Sequence, residues 1–152
     1  MTRNHLILLV EDNPDDVELT RRAFGRSQVA HAIDVVHDGA AALDYLFSRD
    51  SNPPADRPMP EVVLLDLKLP KVDGLDVLRR LRADARTRRL PVVVLTSSNE
   101  EQDIVRSYEF GANSFVRKPV DYAAFLEAAR QIGLYWLGLN QPAPPARAVS
   151  PG

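Results

Sequence analysis

The 152-residue sequence contains no cysteine, which excludes disulfides, iron–sulfur clusters and thiolate zinc sites. A strong charge of either sign is also missing, because 19 Lys and Arg stand against 21 Asp and Glu and give a net charge of −2. This balance predicts no nucleic-acid partner. Arg79, Arg80 and Arg82 are interpreted as a solvated helix face, since no aromatic residues or recognition-helix pattern accompany them.

Long apolar runs are missing as well. None approaches the roughly 20 residues that a membrane-spanning helix needs, so no membrane association is expected. The N-terminal stretch reaches Glu11 and Asp12 after a short apolar run, which is too soon for a secretory signal. We therefore expect a cytoplasmic protein. The first apolar run is followed by no glycine-rich loop, which disfavours a nucleotide-binding domain.

The sequence does contain a regular alternation of short apolar runs with segments of helical periodicity. Strands are predicted at 6–10, 32–36, 62–67, 92–96 and 114–119. Helices are predicted over about 14–24, 42–47, 74–83, 100–110 and 121–139. Asn13 is predicted to cap the first helix, Gly111 to end the fourth and Asp121 to cap the last. Strict alternation implies an α/β, doubly wound parallel sheet of five strands with helices on both faces.

The chain length suits one domain, predicted over residues 1–140. The Pro-rich segment 48–60 is interpreted as a surface insertion, and residues 141–152 as a Pro-rich mobile tail. No output domain is expected after the first one, so the protein would act by docking or by passing phosphate onward.

The last helix carries two neighbouring apolar stripes. We expect the first to cover the sheet, and it comprises Tyr122, Leu126, Ala129, Gly133 and Trp136. The second exceeds what a solvent-facing helix normally carries, and it comprises Phe125, Ala128, Ile132, Tyr135 and Leu139. This second stripe predicts a partner surface, with a broad buried face as the alternative.

Polar residues follow the predicted strands where each strand ends. Right-handed crossovers place the carboxyl ends of parallel strands at one edge, where ligands bind. This edge would gather Glu11, Asp12, Asp66, Thr96 and Lys118. Each could separately be an ordinary strand-end or capping residue, but together they favour a Mg²⁺ or Mn²⁺ site for phosphoryl transfer. An aspartate such as Asp66 can be the nucleophile in that chemistry.

Four segments together resemble the receiver domain of two-component response regulators: "LVEDN", "LLDLKLPKVDG", "VVVLTSS" and "GANSFVRKPV". The resemblance covers about residues 5–135. It implies a flavodoxin-like strand order 2-1-3-4-5 and a signalling switch rather than an enzyme. It also implies that Asp66 accepts a phosphoryl group from a histidine kinase in a Mg²⁺-dependent reaction.

The resemblance also implies roles for the other site residues. Asp12 would bind Mg²⁺ directly, Glu11 would bind it through water, and Lys68 would offer its backbone carbonyl. Thr96 would turn toward the phosphate and Lys118 would pair with it. Phe115 matches the switch aromatic, although core packing explains an inward ring equally well. The Lys68 side chain and Ser98 occupy positions that tune hydrolysis of the phosphoaspartate.

A narrower resemblance involves "ILLVEDNPDDVELTRRAF", the long loop and "FLEAARQIGLYWLGLNQP". These segments are similar to the small stand-alone response regulators that partner bacterial and cyanobacterial phytochromes. The resemblance implies a phytochrome-type histidine kinase, most closely a bacteriophytochrome, as the partner. It also implies a homodimer through the fourth helix, fifth strand and last helix.

Two other functions are alternatives to the phosphorylated switch. A haloacid-dehalogenase-like phosphatase needs a second acidic residue two positions after the nucleophile, where this chain has Lys68. A phosphate-independent interaction module with the same fold would normally have lost an acidic residue, the threonine or the lysine. All of those residue types are present here.

Overall fold

The computed structural model describes residues 5–26, 31–47 and 59–144. Within these ranges the chain forms one five-stranded sheet in the order β2-β1-β3-β4-β5. All four strand pairings are parallel. The strands are β1 His5–Val10, β2 His31–Val36, β3 Val62–Leu65, β4 Val92–Thr96 and β5 Ser114–Arg117. The predicted doubly wound fold and its strand order are confirmed.

The helices are α1 Pro14–Gly25, α2 Gly39–Phe47, α3 Gly74–Ala83, α4 Glu101–Glu109 and α5 Tyr122–Gly133. Three of them begin at side chains that cap the free backbone N–H groups of the first turn. The carboxylates of Asp73 and Asp121 accept from Leu75 N and Ala124 N, and Asn13 caps α1 as predicted.

Two apolar layers cover the sheet. Alternate residues of β1 and β3 point to opposite faces, as the two-residue period of a strand requires. Ile7 and Leu9 face a layer that includes α1 and α5, whereas Leu8 and Val10 face a layer built from α2 and α3. The predicted helices on both faces are confirmed, and the carboxyl edge of the sheet lies between the layers.

The β3 strand ends two residues earlier than predicted. The cause is the start of α3, because the backbone N–H of Gly74 donates to the carbonyl of Leu67 at 2.9 Å. A β carbon on Gly74 would lie 2.3 Å from the carbonyl oxygen of Asp66. A glycine at this position therefore lets α3 begin directly against the strand end that carries Asp66.

The last helix differs from the prediction in two ways. It is α-helical to Gly133 and continues as a π-helical segment, Leu134–Leu139, closed by Asn140 N donating to the carbonyl of Tyr135 at 2.7 Å. The proposed partner stripe is wrong for Phe125 and Ile132, which are buried in the core layer against α1. The broad buried face weighed as an alternative accounts for these two residues.

The exposed part of that stripe is its C-terminal end. Tyr135 is 49% exposed and Leu139 is 75% exposed. Tyr122 of the other stripe is also half exposed, so it does not cover the sheet as expected. Its hydroxyl accepts instead from Arg22 of α1 at 3.0 Å.

Most of the predicted insertion and tail, residues 48–58 and 145–152, lies outside the described ranges. Within those ranges, no helix combines the length and the apolar character needed to cross a membrane.

Candidate functional site

Strand pairing brings the predicted site residues to one edge of the sheet. Val10 of β1 pairs with Leu65 of β3, so the residues that follow them, Glu11 and Asp66, are neighbours. The backbone N–H of Asp66 donates to the carbonyl of Val10 at 3.1 Å. On the other side, Lys118 follows β5 and its backbone N–H donates to the carbonyl of Thr96 at 2.7 Å.

Three carboxylates converge at this edge. Oxygen atoms of Glu11, Asp12 and Asp66 all lie within 4.8 Å of one another. Glu11 and Asp66 are buried, at 2% and 7% exposure, while Asp12 opens to solvent. The cluster therefore has a closed inner side and an accessible outer side, through which an ion and a phosphodonor can enter.

Lys118 supplies the positive charge on the inner side. Its side chain is 7% exposed, and Nζ donates to Glu11 Oε1 at 2.5 Å, to Asp16 Oδ2 at 2.8 Å and to Asp66 Oδ2 at 3.1 Å. Three carboxylates thus share the three N–H donors of one ammonium. The arrangement compensates for burying the charge, which would be costly without partners.

Asp16 is the residue of this site that sequence reasoning missed. It is the third residue of α1, and its backbone N–H donates to the capping oxygen of Asn13 at 3.4 Å. Asp16 does not follow a strand but lies in the first turn of α1, so the rule that collected the residues at the strand ends did not include it. What could not be read from the sequence was that α1 leaves the sheet edge in a direction that points this turn toward Lys118.

The pKa values of the cluster reflect burial and charge together. Burial disfavours the ammonium of Lys118, but hydrogen bonds to Asp16 and Glu11 and the charge of Asp66 outweigh it, so the pKa of Lys118 is raised. Burial raises the pKa of Glu11 to about 7, against the opposing effect of Lys118. Independently of these shifts, four carboxylates, those of Glu11, Asp12, Asp16 and Asp66, surround one ammonium, so the site has an excess of carboxylate groups.

That excess is what a hard divalent cation would relieve. Mg²⁺ and Mn²⁺ prefer oxygen ligands and accept a site with few carboxylates plus water. Glu11, Asp12 and Asp66 offer such oxygens in reach of one another. The donor set fits either ion, and no ligand from histidine or cysteine belongs to this group of residues.

Lys68 lies on the exposed outer side of the site. Its backbone N–H donates to Asp66 Oδ1 at 3.3 Å, which helps to orient the carboxylate. Together with Asp12, Asp73 and Asp103 it lines an open depression beside the carboxylates. A phosphodonor approaching Asp66 from solvent would pass the Lys68 side chain.

Thr96 is fully buried at the end of β4, where the loop to α4 begins. Its Oγ1 accepts from the backbone N–H of Ser98 at 3.3 Å. The Ser98 hydroxyl in turn donates to Asp103 of α4 at 2.5 Å. These bonds tie the Thr96 hydroxyl to the first turn of α4, so any movement of Thr96 would be transmitted to that helix.

Phe115 is not part of the carboxylate cluster. It pairs with Val94 in the middle of β5 rather than at the strand end. Its side chain is half-buried, and its backbone N–H donates to the Tyr108 hydroxyl of α4 at 3.1 Å. Phe115 therefore lies beside α4, away from the carboxylate cluster and close to the helix that Thr96 contacts through its loop.

Residues 7–130 of this chain match the family model of the response regulator receiver domain. Among curated relatives, the probable methanogenesis regulatory protein FilR2 of Methanothrix harundinacea is 43% identical over 141 residues, which cover 93% of this chain and 89% of FilR2.

Two solved structures of response regulators are similar over nearly their whole length. Phosphorylated RcpA, a cyanobacterial phytochrome response regulator, superposes with a TM-score of 0.85 at 36% identity, over 92% of this chain and 99% of RcpA. The Mn²⁺-bound form of Rcp1, a response regulator of Synechocystis, gives a TM-score of 0.84 at 32% identity, over 92% and 99% of the two chains.

Proposed function

The chain belongs to the response regulator receiver domain family, and from this premise we propose that it is a phosphorylation-controlled switch whose phosphoacceptor is Asp66. Receiver domains act as signalling switches that accept a phosphoryl group from a kinase. The observation that carries the proposal is the convergence of Asp66, Asp12 and Glu11 with the buried ammonium of Lys118 at one sheet edge.

The reaction follows from the chemistry of the cluster. A carboxylate oxygen of Asp66 attacks the phosphorus of a phosphohistidine on the kinase, forming an O–P bond as the P–N bond breaks. The imidazole of the kinase leaves and takes up a proton. Charge spreads over the three equatorial phosphoryl oxygens in the transition state, and Lys118 would neutralise one of them.

The metal residues are proposed as Glu11, Asp12 and Asp66, with the backbone carbonyl of Lys68 as a further ligand. When bound there, Mg²⁺ would neutralise phosphoryl oxygens beside the acceptor. Support comes from the carboxylate oxygens that lie within 4.8 Å of one another and from the Mn²⁺-bound state of the relative Rcp1. Asp66 is held for the reaction by Lys118 on one oxygen and by the Lys68 amide on the other.

The readout is proposed to run through Thr96 and Phe115. A phosphoryl group on Asp66 attracts the Thr96 hydroxyl, which would then leave the backbone N–H of Ser98. The loop and α4 would shift with it, and the half-buried Phe115 ring could fill the space that Thr96 vacates. This is a population shift biased by added charge at Asp66.

A phytochrome-type histidine kinase is the proposed donor, because RcpA is a phytochrome response regulator and resembles this chain over 99% of its length. A cytoplasmic location accords with such a donor. We further propose a homodimer through α4, β5 and α5. The support for it is the exposed apolar surface of Val105, Tyr108, Tyr135 and Leu139 on these elements and the π-helical extension.

Labelling by a small phosphodonor tests the proposal. With Mg²⁺ and acetyl phosphate, the parent protein should gain one phosphoryl group by intact mass, and Asp66→Asn should gain none. Asp73→Asn is the matched control, because Asp73 lines the same depression but caps α3. Labelling that persists in Asp66→Asn would identify a different acceptor, and an unlabelled, folded parent protein would favour the phosphate-independent module.

A further inference from the structure

Lys118 has no free N–H donor in the structure as it stands. An ammonium has three donors, and here they go to Glu11, Asp16 and Asp66. A phosphoryl group on Asp66 would carry its terminal oxygens beyond the carboxylate, so pairing with them requires Lys118 to move or to give up a partner. The question is which of the three carboxylates is exchanged.

Burial decides which carboxylate can be released at least cost. The side chains of Glu11 and Asp66 are 3% and 9% exposed, and an unpaired buried carboxylate carries a large desolvation penalty. The Asp16 side chain is 22% exposed and is therefore reached by water. Water can replace Lys118 at Asp16 but not at Glu11.

The position of Asp16 is fixed by hydrogen bonds of its own backbone. Its backbone N–H is bound by the capping side chain of Asn13, and its carbonyl accepts from the Thr20 hydroxyl at 2.8 Å. Its carboxylate therefore competes for Lys118 from a fixed point at the start of α1.

We propose that Asp16 is a positioning residue that holds Lys118 in the resting state and competes with the phosphoryl group for it. Phosphorylation of Asp66 then exchanges the Asp16–Lys118 ion pair for a phosphoryl–Lys118 pair. This exchange removes the ion pair that connects α1 to Lys118, so the switch would act on α1 as well as on α4. The inference rests on the proposed function, because it concerns the regulation of the same site.

Beryllofluoride, a phosphoryl mimic that binds carboxylates, tests the competition with the full-length protein and Mg²⁺. Asp16→Asn should lower the beryllofluoride concentration for half-saturation severalfold, as followed by ¹⁹F NMR. Asp15→Asn is the matched control, since it removes the same charge from the same helical turn without a bond to Lys118. Asp16→Glu, which retains the carboxylate, should have a beryllofluoride concentration for half-saturation closer to that of the parent protein.

Equal half-saturation in Asp16→Asn and Asp15→Asn, or weaker binding in Asp16→Asn, would overturn the competition while leaving the phosphoacceptor role intact. A folded parent protein that binds no beryllofluoride would instead overturn the proposed function itself.

The ion pair is tested separately by thermal unfolding without any phosphoryl mimic. Asp16→Asn should lower the melting temperature of the parent but not of Lys118→Met, where removing Asp16 only relieves repulsion. Equal shifts in the two backgrounds would show that Asp16 does not hold Lys118, and the proposal would fall even if Asp66 is phosphorylated.

Discussion

At the scale of single residues, the candidate site contains more carboxylates than the single ammonium of Lys118 can neutralise. One ammonium is shared by three carboxylates, and the neighbouring Asp12 adds a fourth. Charges that repel one another in this way lower the stability of the resting protein but create affinity for a cation and for a phosphoryl group that brings one. The site's chemistry and its cost in stability therefore have the same origin.

A pH dependence follows from Glu11, whose pKa burial raises from 4.5 to about 7. Between these values the folded protein holds a proton that the unfolded chain has released. The free energy of unfolding should therefore fall as the pH rises from 4.5 to 7, by at most about 3 kcal/mol from this group. Urea unfolding without divalent ions, compared between the parent and Glu11→Gln, isolates the effect. Parallel pH profiles for the two proteins would contradict it.

Arg82, predicted to belong to a solvated helix face, is instead half-buried at the other end of the sheet. Its guanidinium donates to the carbonyls of Leu90 at 2.7 Å and Gly111 at 2.9 Å, and to the Asn113 side chain at 3.0 Å. Burial lowers the pKa of Arg82. The planar fork of donors connects α3 to the segments on both sides of β4 and cannot be reproduced by an ammonium.

Arg82→Lys should therefore destabilise the protein by about 2 kcal/mol, because it leaves carbonyl groups without donors. Arg80→Lys is the control, since Arg80 is exposed on the same helix and its replacement should change the free energy of unfolding by less than about 0.5 kcal/mol. Urea denaturation midpoints measure both. Indistinguishable midpoints for the two variants would show that the Arg82 bonds do not stabilise the fold.

At the scale of elements, local signals predicted which segments are strands and helices, but only tertiary contacts fixed their ends and exposed faces. Asn13 and Asp121 correctly predicted the starts of α1 and α5. Gly111, at φ 103°, follows the C-terminal end of α4, as predicted. The face of α5 could not be read correctly, because Phe125 and Ile132 pack beside α1, which is distant in sequence. Periodicity identifies an apolar stripe but not the element that covers it.

The start of α3 gives a testable consequence of element packing. An alanine at Gly74 would place its β carbon 2.3 Å from the Asp66 carbonyl oxygen and 2.6 Å from Leu67 Cα, and backbone atoms cannot move aside as a flexible side chain can. Gly74→Ala should cost about 2 kcal/mol of stability, in the range of overpacking substitutions. It should also slow labelling of Asp66 by acetyl phosphate.

Gly25→Ala is the matched control for this substitution. Among the described residues, no atom beyond the neighbouring residues and the backbone of α1 itself lies within 4 Å of a β carbon at Gly25, so the same change should stabilise the protein by about 0.5 kcal/mol. Thermal unfolding compares the two variants. A Gly74→Ala protein as stable as the parent would show that α3 can withdraw from the strand end.

At the scale of the whole molecule, the two layers of helices serve different purposes. The layer with α1 and α5 is closed, because Phe125, Leu126 and Ile132 are buried there. Exposed apolar side chains of the described residues include Val105 and Tyr108 of α4 and Tyr135 and Leu139 of the π-helical extension, with Tyr108 at 51% and Leu139 at 75% exposure. α4 adjoins β5, an edge strand of the sheet. An edge strand flanked by apolar side chains is a surface that another copy of the chain can cover.

The proposed dimer therefore predicts which substitutions should separate its subunits. A glutamate at Tyr135 or Leu139 would bury a charge in the interface, so either variant should shift the mass in light scattering from that of two chains toward one. Ala32→Glu is the control: Ala32 is exposed on β2, the strand at the opposite edge of the sheet, and its replacement should leave the mass unchanged. If the parent protein has the mass of one chain at all concentrations, the proposed dimer does not form. The phosphoacceptor site would then have to signal through α1 and α4 of a single subunit.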